Sequence, residues 1–153
     1  MLSVLEKHLG PAAKLPEGPA AGEANSELNI AVIFTSIPST LSALRTAATL
    51  ANRLRARVTL MVPQVVPYPL PLYTPAVPLD FTERRFRVLA EESPVETAVR
   101  IYLCRDRAET LTAVLRPHSL IVIGNSGSWW PSEEKRMARK LRRAGHEVVF
   151  AGA

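Results

Sequence analysis

The chain has 153 residues, 47% apolar and 22% charged, with a formal net charge of +5. These values fit one globular domain that buries its core without staples. No apolar run reaches the ~18 residues of a membrane span, and the single Cys104 cannot form an intrachain disulfide, which fits a reducing compartment and a cytoplasmic location.

Residues 1–27 read as a flexible N-terminal tail. "MLSVLEKHL" has the makings of one or two helical turns, and "GPAAKLPEGPAAGEANSE" is linker-like. The start lacks a basic n-region before a long apolar stretch, so no signal peptide is expected.

From Leu28 the pattern changes to alternating elements. "LNIAVIFTS" is a β-branched apolar run, as in a strand buried on both faces. "PSTLSALRTAATLANRLRAR" reads as a helix, with Ser39 or Thr40 near its start and Leu41, Leu44, Ala48, Ala51 and Leu54 at helical spacing. "RVTLMVPQVV" is a second strand. "DFTERRFRVLAEES" is a helix that stops before Pro94. "VETAVRIYLC" is a third strand, "DRAETLTAVLRP" a short helix with Asp106 as cap, and "HSLIVIGN" a fourth strand. "PSEEKRMARKLRRAG" is a helix with Pro131 in its first turn and Gly145 at its stop, and "HEVVFAG" is a fifth strand. Five alternations of strand and helix predict a doubly wound, mostly parallel α/β sheet, a three-layer α/β/α sandwich. Such sheets bind ligands beyond the carboxyl ends of their strands.

The connection from Pro63 to Asp80 carries six prolines and cannot be a helix. It is expected to be extended, either a stiff flap over a sheet edge or helix face, or a lid over the cleft or dimer arm.

Three stretches resemble the universal stress protein family, within the adenine nucleotide alpha hydrolase-like superfamily. They are "NIAVIFTSIPSTLSALRTAATLANRLRARVTLMV", "CRDRAETLTAVLRPHSLIVIG", and "GNSG" followed by "RMARKLRRAGHEVVFA". The resemblance covers residues 28 to 152. It implies a five-stranded parallel sheet of order 3-2-1-4-5, a homodimer paired through the C-terminal strand, and a regulatory or stress-response role without substrate turnover.

The ATP signature is incomplete. Nucleotide-binding members hold the ligand with an Asp at the end of strand one; here Thr35 stands there and Ser36 replaces the next Gly. They also carry G-x-x-G, nine residues, then Gly-Ser or Gly-Thr. Gly124 and Gly127 match the first half, but Met137 and Ala138, or Glu134 and Lys135 in the shorter alignment, stand at the second. The nucleotide site the resemblance implies is Thr35, Ser36, Val62, Arg105, Gly124, Asn125, Ser126, Gly127 and Ser128.

Each residue has two readings. The amides of 125–128 could cradle a phosphate, or "GNSGS" could be an ordinary strand-to-helix turn. Trp129 and Trp130 are bulky enough to fill the phosphate space, and Glu133 and Glu134 already complement the dipole of the next helix. Thr35 and Ser36 are either ligand donors or caps. Arg105 and Arg107 flank Asp106, as anion binders or as solvated arginines beside a cap. Cys104 reads as a small core hydrophobe. In the last helix Arg136, Arg139, Lys140 and Arg143 share one face while Met137, Leu141 and Ala144 face inward. That is a solvated amphipathic helix, with no nucleic-acid motif.

The expectation is a universal-stress-protein-like module, not an enzyme, with no cofactor, no metal and a homodimeric or other protein partner. The alternative is a stress-response regulator that binds ATP or AMP through a degenerate loop. An ATP-pyrophosphatase would need S-G-G-x-D-S, which is missing.

Overall fold

A computed structural model describes residues 28–73, 75, 77–127, 129 and 132–152. The expected tail at 1–27 lies outside these. The elements are β1 (Asn29–Ile33), α1 (Ile37–Leu54), β2 (Arg57–Val65), α2 (Leu79–Glu91), β3 (Thr97–Cys104), α3 (Arg107–Val114), β4 (Leu120–Gly124), α4 (Glu133–Arg143) and β5 (Glu147–Ala151). The five strands form one parallel sheet of order β3-β2-β1-β4-β5. Chain order reverses direction between β1 and β4, so the loops after those strands face one crevice.

Strand alternation splits the core into two layers. Ile30, Val32, Leu60, Val62, Val99 and Val122 pack under α1 and α2. Ala31, Ile33, Met61, Tyr102, Ile121 and Ile123 pack under α3 and α4. The central strand is buried from Ile30 to Ile33, which explains its unbroken apolar run.

The stripe that α1 buries is shifted from the sequence expectation. Ser39, Thr40, Ala43, Leu44, Ala47, Ala48 and Ala51 are inside, whereas Leu41 is half-buried and Leu54 exposed. Small side chains let this helix lie close to the sheet. At its first turn the approach is backbone on backbone: a Cβ on Gly124 would stand 2.0 Å from the Ser39 carbonyl oxygen. Likewise α4 buries Met137, Ala138 and Leu141, while Ala144, expected inside, is its exposed C-cap.

The proline-rich connection is shorter than expected. β2 runs on to Val65, pairing Pro63 with Tyr102 and Val65 with Cys104, and α2 begins at Leu79, so the connection is 66–78. A proline is tolerated here for a positional reason. The last register pair with β1 is Ile33 and Met61, and Phe34 N–H donates to the Met61 carbonyl. Two residues on, Pro63 faces the same side, where β1 has ended and no ladder bond is lost.

His146 closes the sheet's other end. It is buried, and its Nδ1 accepts a hydrogen bond from Ser119 N–H at 3.1 Å. Burial holds its pKa below the ordinary 6.5, and nearby His118 pushes the same way.

Two outcomes follow from these contacts. Gly124→Ala should lower the stability in urea unfolding by roughly 3 kcal/mol, because a backbone carbonyl occupies the space. Gly127→Ala, at φ 75° with nothing within 4 Å, should cost only about 1 kcal/mol of local strain. As pH falls below about 6.5, the unfolded chain should take up a proton at His146 that the folded chain refuses. Stability is therefore lost on acidification through that range, and the slope should flatten in His146→Gln.

Candidate functional site

The crevice beyond β1 and β4 is built from three loops. At the exit of β1, Ser36 is the N-cap of α1, its side chain accepting from Ser39 N–H at 3.4 Å. Thr35 N–H donates to the buried Thr40 hydroxyl at 3.2 Å. Both residues thus start the helix. The Thr35 hydroxyl oxygen, however, is shielded from solvent and has no hydrogen-bond partner among the described residues.

After β4, two of the amides expected to cradle a phosphate are already engaged. Asn125 N–H donates to the Ala151 carbonyl at 2.9 Å. Gly127 N–H donates to the Asn125 side-chain oxygen at 3.1 Å, closing the turn on itself. The close approach of α1 by itself requires a glycine at position 124. Ser126 is exposed, and Ser128 lies outside the described residues. Trp129 is 80% exposed and so does not fill the crevice as expected; Trp130 is outside the described residues. Glu133, in the first turn of α4, pairs with Arg107 at 3.2 Å.

Val62 offers nothing to the crevice. Its side chain is 2% exposed within the α1–α2 core layer. Its backbone groups face β3, because Val66, four residues on and so on the same side, donates to the Cys104 carbonyl. The β2 position that does face the space past β1 is Pro63, which has a carbonyl and no N–H.

Arg105 is committed to the loop that follows β2. Its guanidinium donates to the carbonyls of Val66 at 2.6 Å and Leu70 at 2.8 Å. The guanidinium carbon also lies 4.1 Å from the Tyr68 ring centre. Asp106 caps α3 by accepting from Glu109 N–H at 2.8 Å. Cys104 is buried, with its thiol on the Gln64 carbonyl. Burial pushes its pKa up, outweighing the Thr110 hydrogen bond that lowers it. It is therefore a poor nucleophile.

Two further groups near this edge are shielded: Gln64, which carried no sequence signal, and Arg107, read from the sequence as an anion binder or a solvated arginine. Gln64 Oε1 and Arg107 Nε are shielded from solvent without a hydrogen-bond partner among the described residues, like Thr35 Oγ1. Only tertiary packing shields them. Among the described residues no three of His, Cys, Asp and Glu come together to hold a metal ion. No helix is long and apolar enough to cross a membrane.

This architecture is that of the universal stress proteins. A protein of that family from Burkholderia pseudomallei matches with a TM-score of 0.56 at 22% identity, over 82% of this chain and 96% of that one. A universal stress protein solved in complex with cAMP matches with a TM-score of 0.52 at 15% identity, over 81% and 95%. The chain thus has the universal stress protein fold, with the expected sheet order. No protein-family model matches the sequence, and no curated protein matches it.

Because Arg105 holds two carbonyls and a ring, its loss should loosen the 66–78 segment. Arg105→Ala should raise the rate of chymotryptic cleavage after Tyr73 roughly tenfold by enriching locally open states. Arg105→Lys should not restore protection, since an ammonium cannot make the same planar double contact.

Proposed function

We propose that this chain is a universal-stress-protein-like regulatory or interaction module, non-enzymatic and without a resident nucleotide. One observation carries the reading. Two of the amides a phosphate would use, those of Asn125 and Gly127, are bonded within the protein. Pro63 faces the space past β1 without an N–H, and no carboxylate stands at Thr35. A cytoplasmic location goes with the reading, as does the buried free thiol of Cys104. Association through the β5 edge, with a second copy or a different protein, would be its mode of action.

A second reading has its own support. The shielded, unpartnered Thr35 Oγ1 and Gln64 Oε1 lie near the carboxyl edge, and a relative of the same fold was solved with cAMP. Buried polar groups without partners are uncommon in native proteins. On this reading the chain is a stress-response regulator that takes ATP, AMP or a related nucleotide through a reduced set of contacts.

Mass spectrometry of the denatured, freshly purified protein separates the two. The first reading expects no nucleotide, and no thermal shift with ATP, ADP, AMP or cAMP. The second expects micromolar binding that weakens in Gly127→Val. Binding that this substitution leaves unchanged would place any nucleotide elsewhere.

A further inference from the structure

β5 is an edge strand with a defined outer side. Glu147 N–H donates to the Ser119 carbonyl, and the Ala151 carbonyl accepts from Asn125 N–H. Odd positions therefore face β4, and the backbone groups of Val148 and Phe150 point outward. The Val148 carbonyl accepts from the Arg142 guanidinium at 2.9 Å. That guanidinium also lies 5.5 Å from the Phe150 ring centre. Around this ring Lys135, Arg139, Arg142 and Arg143 line an open groove of about 520 Å³. No carboxylate is among its described lining residues.

We propose that this edge and groove bind an extended acidic segment of another protein, which adds as a sixth strand beside β5. This rests on the reading of the chain as an interaction module and names its partner's chemistry. Outward backbone groups supply the ladder, which gives affinity. Every second side chain of the added strand points to the α4 face, where Phe150 gives an apolar floor and Arg139, Arg142 and Arg143 receive carboxylates. Arg142 guards the edge in the free protein and turns to a carboxylate when the strand arrives. A second copy fits less well. Two-fold pairing through β5 sets like faces against each other, so each cationic groove would approach its own copy, and β5 itself contributes only Glu147 as an acid. Nucleic acid matches the charge but has no N–H and C=O ladder to pair with a strand.

The test uses the full chain and a fluorescein-labelled nine-residue peptide of alternating glutamate and valine, followed by anisotropy. Saturable binding is expected, weakened about tenfold or more in Arg139→Glu/Arg143→Glu. Both positions are exposed, so circular dichroism should show the fold retained. A peptide of the same charge, N-methylated on alternate amides, should bind at least tenfold more weakly, because one edge of its ladder is blocked. No binding at high micromolar concentration, equal binding of the methylated peptide, or equal binding of oligo-dT would each overturn the proposal. A sedimenting dimer that excludes the peptide would assign the edge to a second copy and overturn it too. Nucleotide content, measured on the same preparation, reports separately on the broader reading: nucleotide present with peptide bound would overturn that reading and leave this one standing.

Discussion

The contact on which the crevice depends is backbone on backbone. The first turn of α1 comes so close to the end of β4 that the Ser39 carbonyl occupies the place of a Gly124 side chain. Buried alanines along α1 permit that approach, and the Ser42 hydroxyl extends it by donating to the Gly152 carbonyl at 2.8 Å. This contact brings the exits of β1, β4 and β5 together. It also explains why a glycine suggestive of phosphate binding is needed with no phosphate at all: the conformational freedom and small size that suit a nest equally suit a helix pressed on a strand.

Around that contact, the polar groups of the carboxyl edge mostly satisfy one another. Ser36 and Asp106 cap helices, Asn125 closes its own turn, and Arg105 ties the segment after β2 to the exit of β3. A group bonded within the protein must give up that bond before it can serve a ligand, so a partner gains only the difference. The shielded hydroxyl of Thr35 and amide oxygen of Gln64 are exceptions, and they mark where a small ligand would find acceptors unclaimed. The opposite flank has the reverse character. At β5 and α4, Arg139, Arg142 and Arg143 are exposed and only the Arg142 bond to the Val148 carbonyl covers the strand edge, so interaction there leaves the core intact.

Much of the fold was legible because periodicity is a local property. The five apolar strand runs and the helical stripes between them follow from side chains alternating in and out of a sheet or recurring around a helix. Asp106 before α3 and Gly145 after α4 acted as the caps and stops their chemistry suggests. Leu54 and Ala144 were misplaced because a helix end outlasts the surface it packs on: beyond Ala51 and Leu141 the sheet no longer lies beneath. Residues 63–66 fell in both the second strand and the proline-rich connection, because the tolerance of Pro63 depends on where β1 stops, a fact about the neighbouring strand.

The sequence by itself determined the alternation of elements, the doubly wound class, the buried central strand and the broken ATP signature, since each is written in residue type and spacing. Tertiary structure alone decided that Gly124 serves a helix, that Arg105 grips two carbonyls and a tyrosine ring, that Val62 turns away from the crevice, and that four cations gather about Phe150 at an open edge. The physical reason is distance along the chain. Each of those outcomes joins groups many residues apart, and only the packed sheet brings them within hydrogen-bond or van der Waals reach.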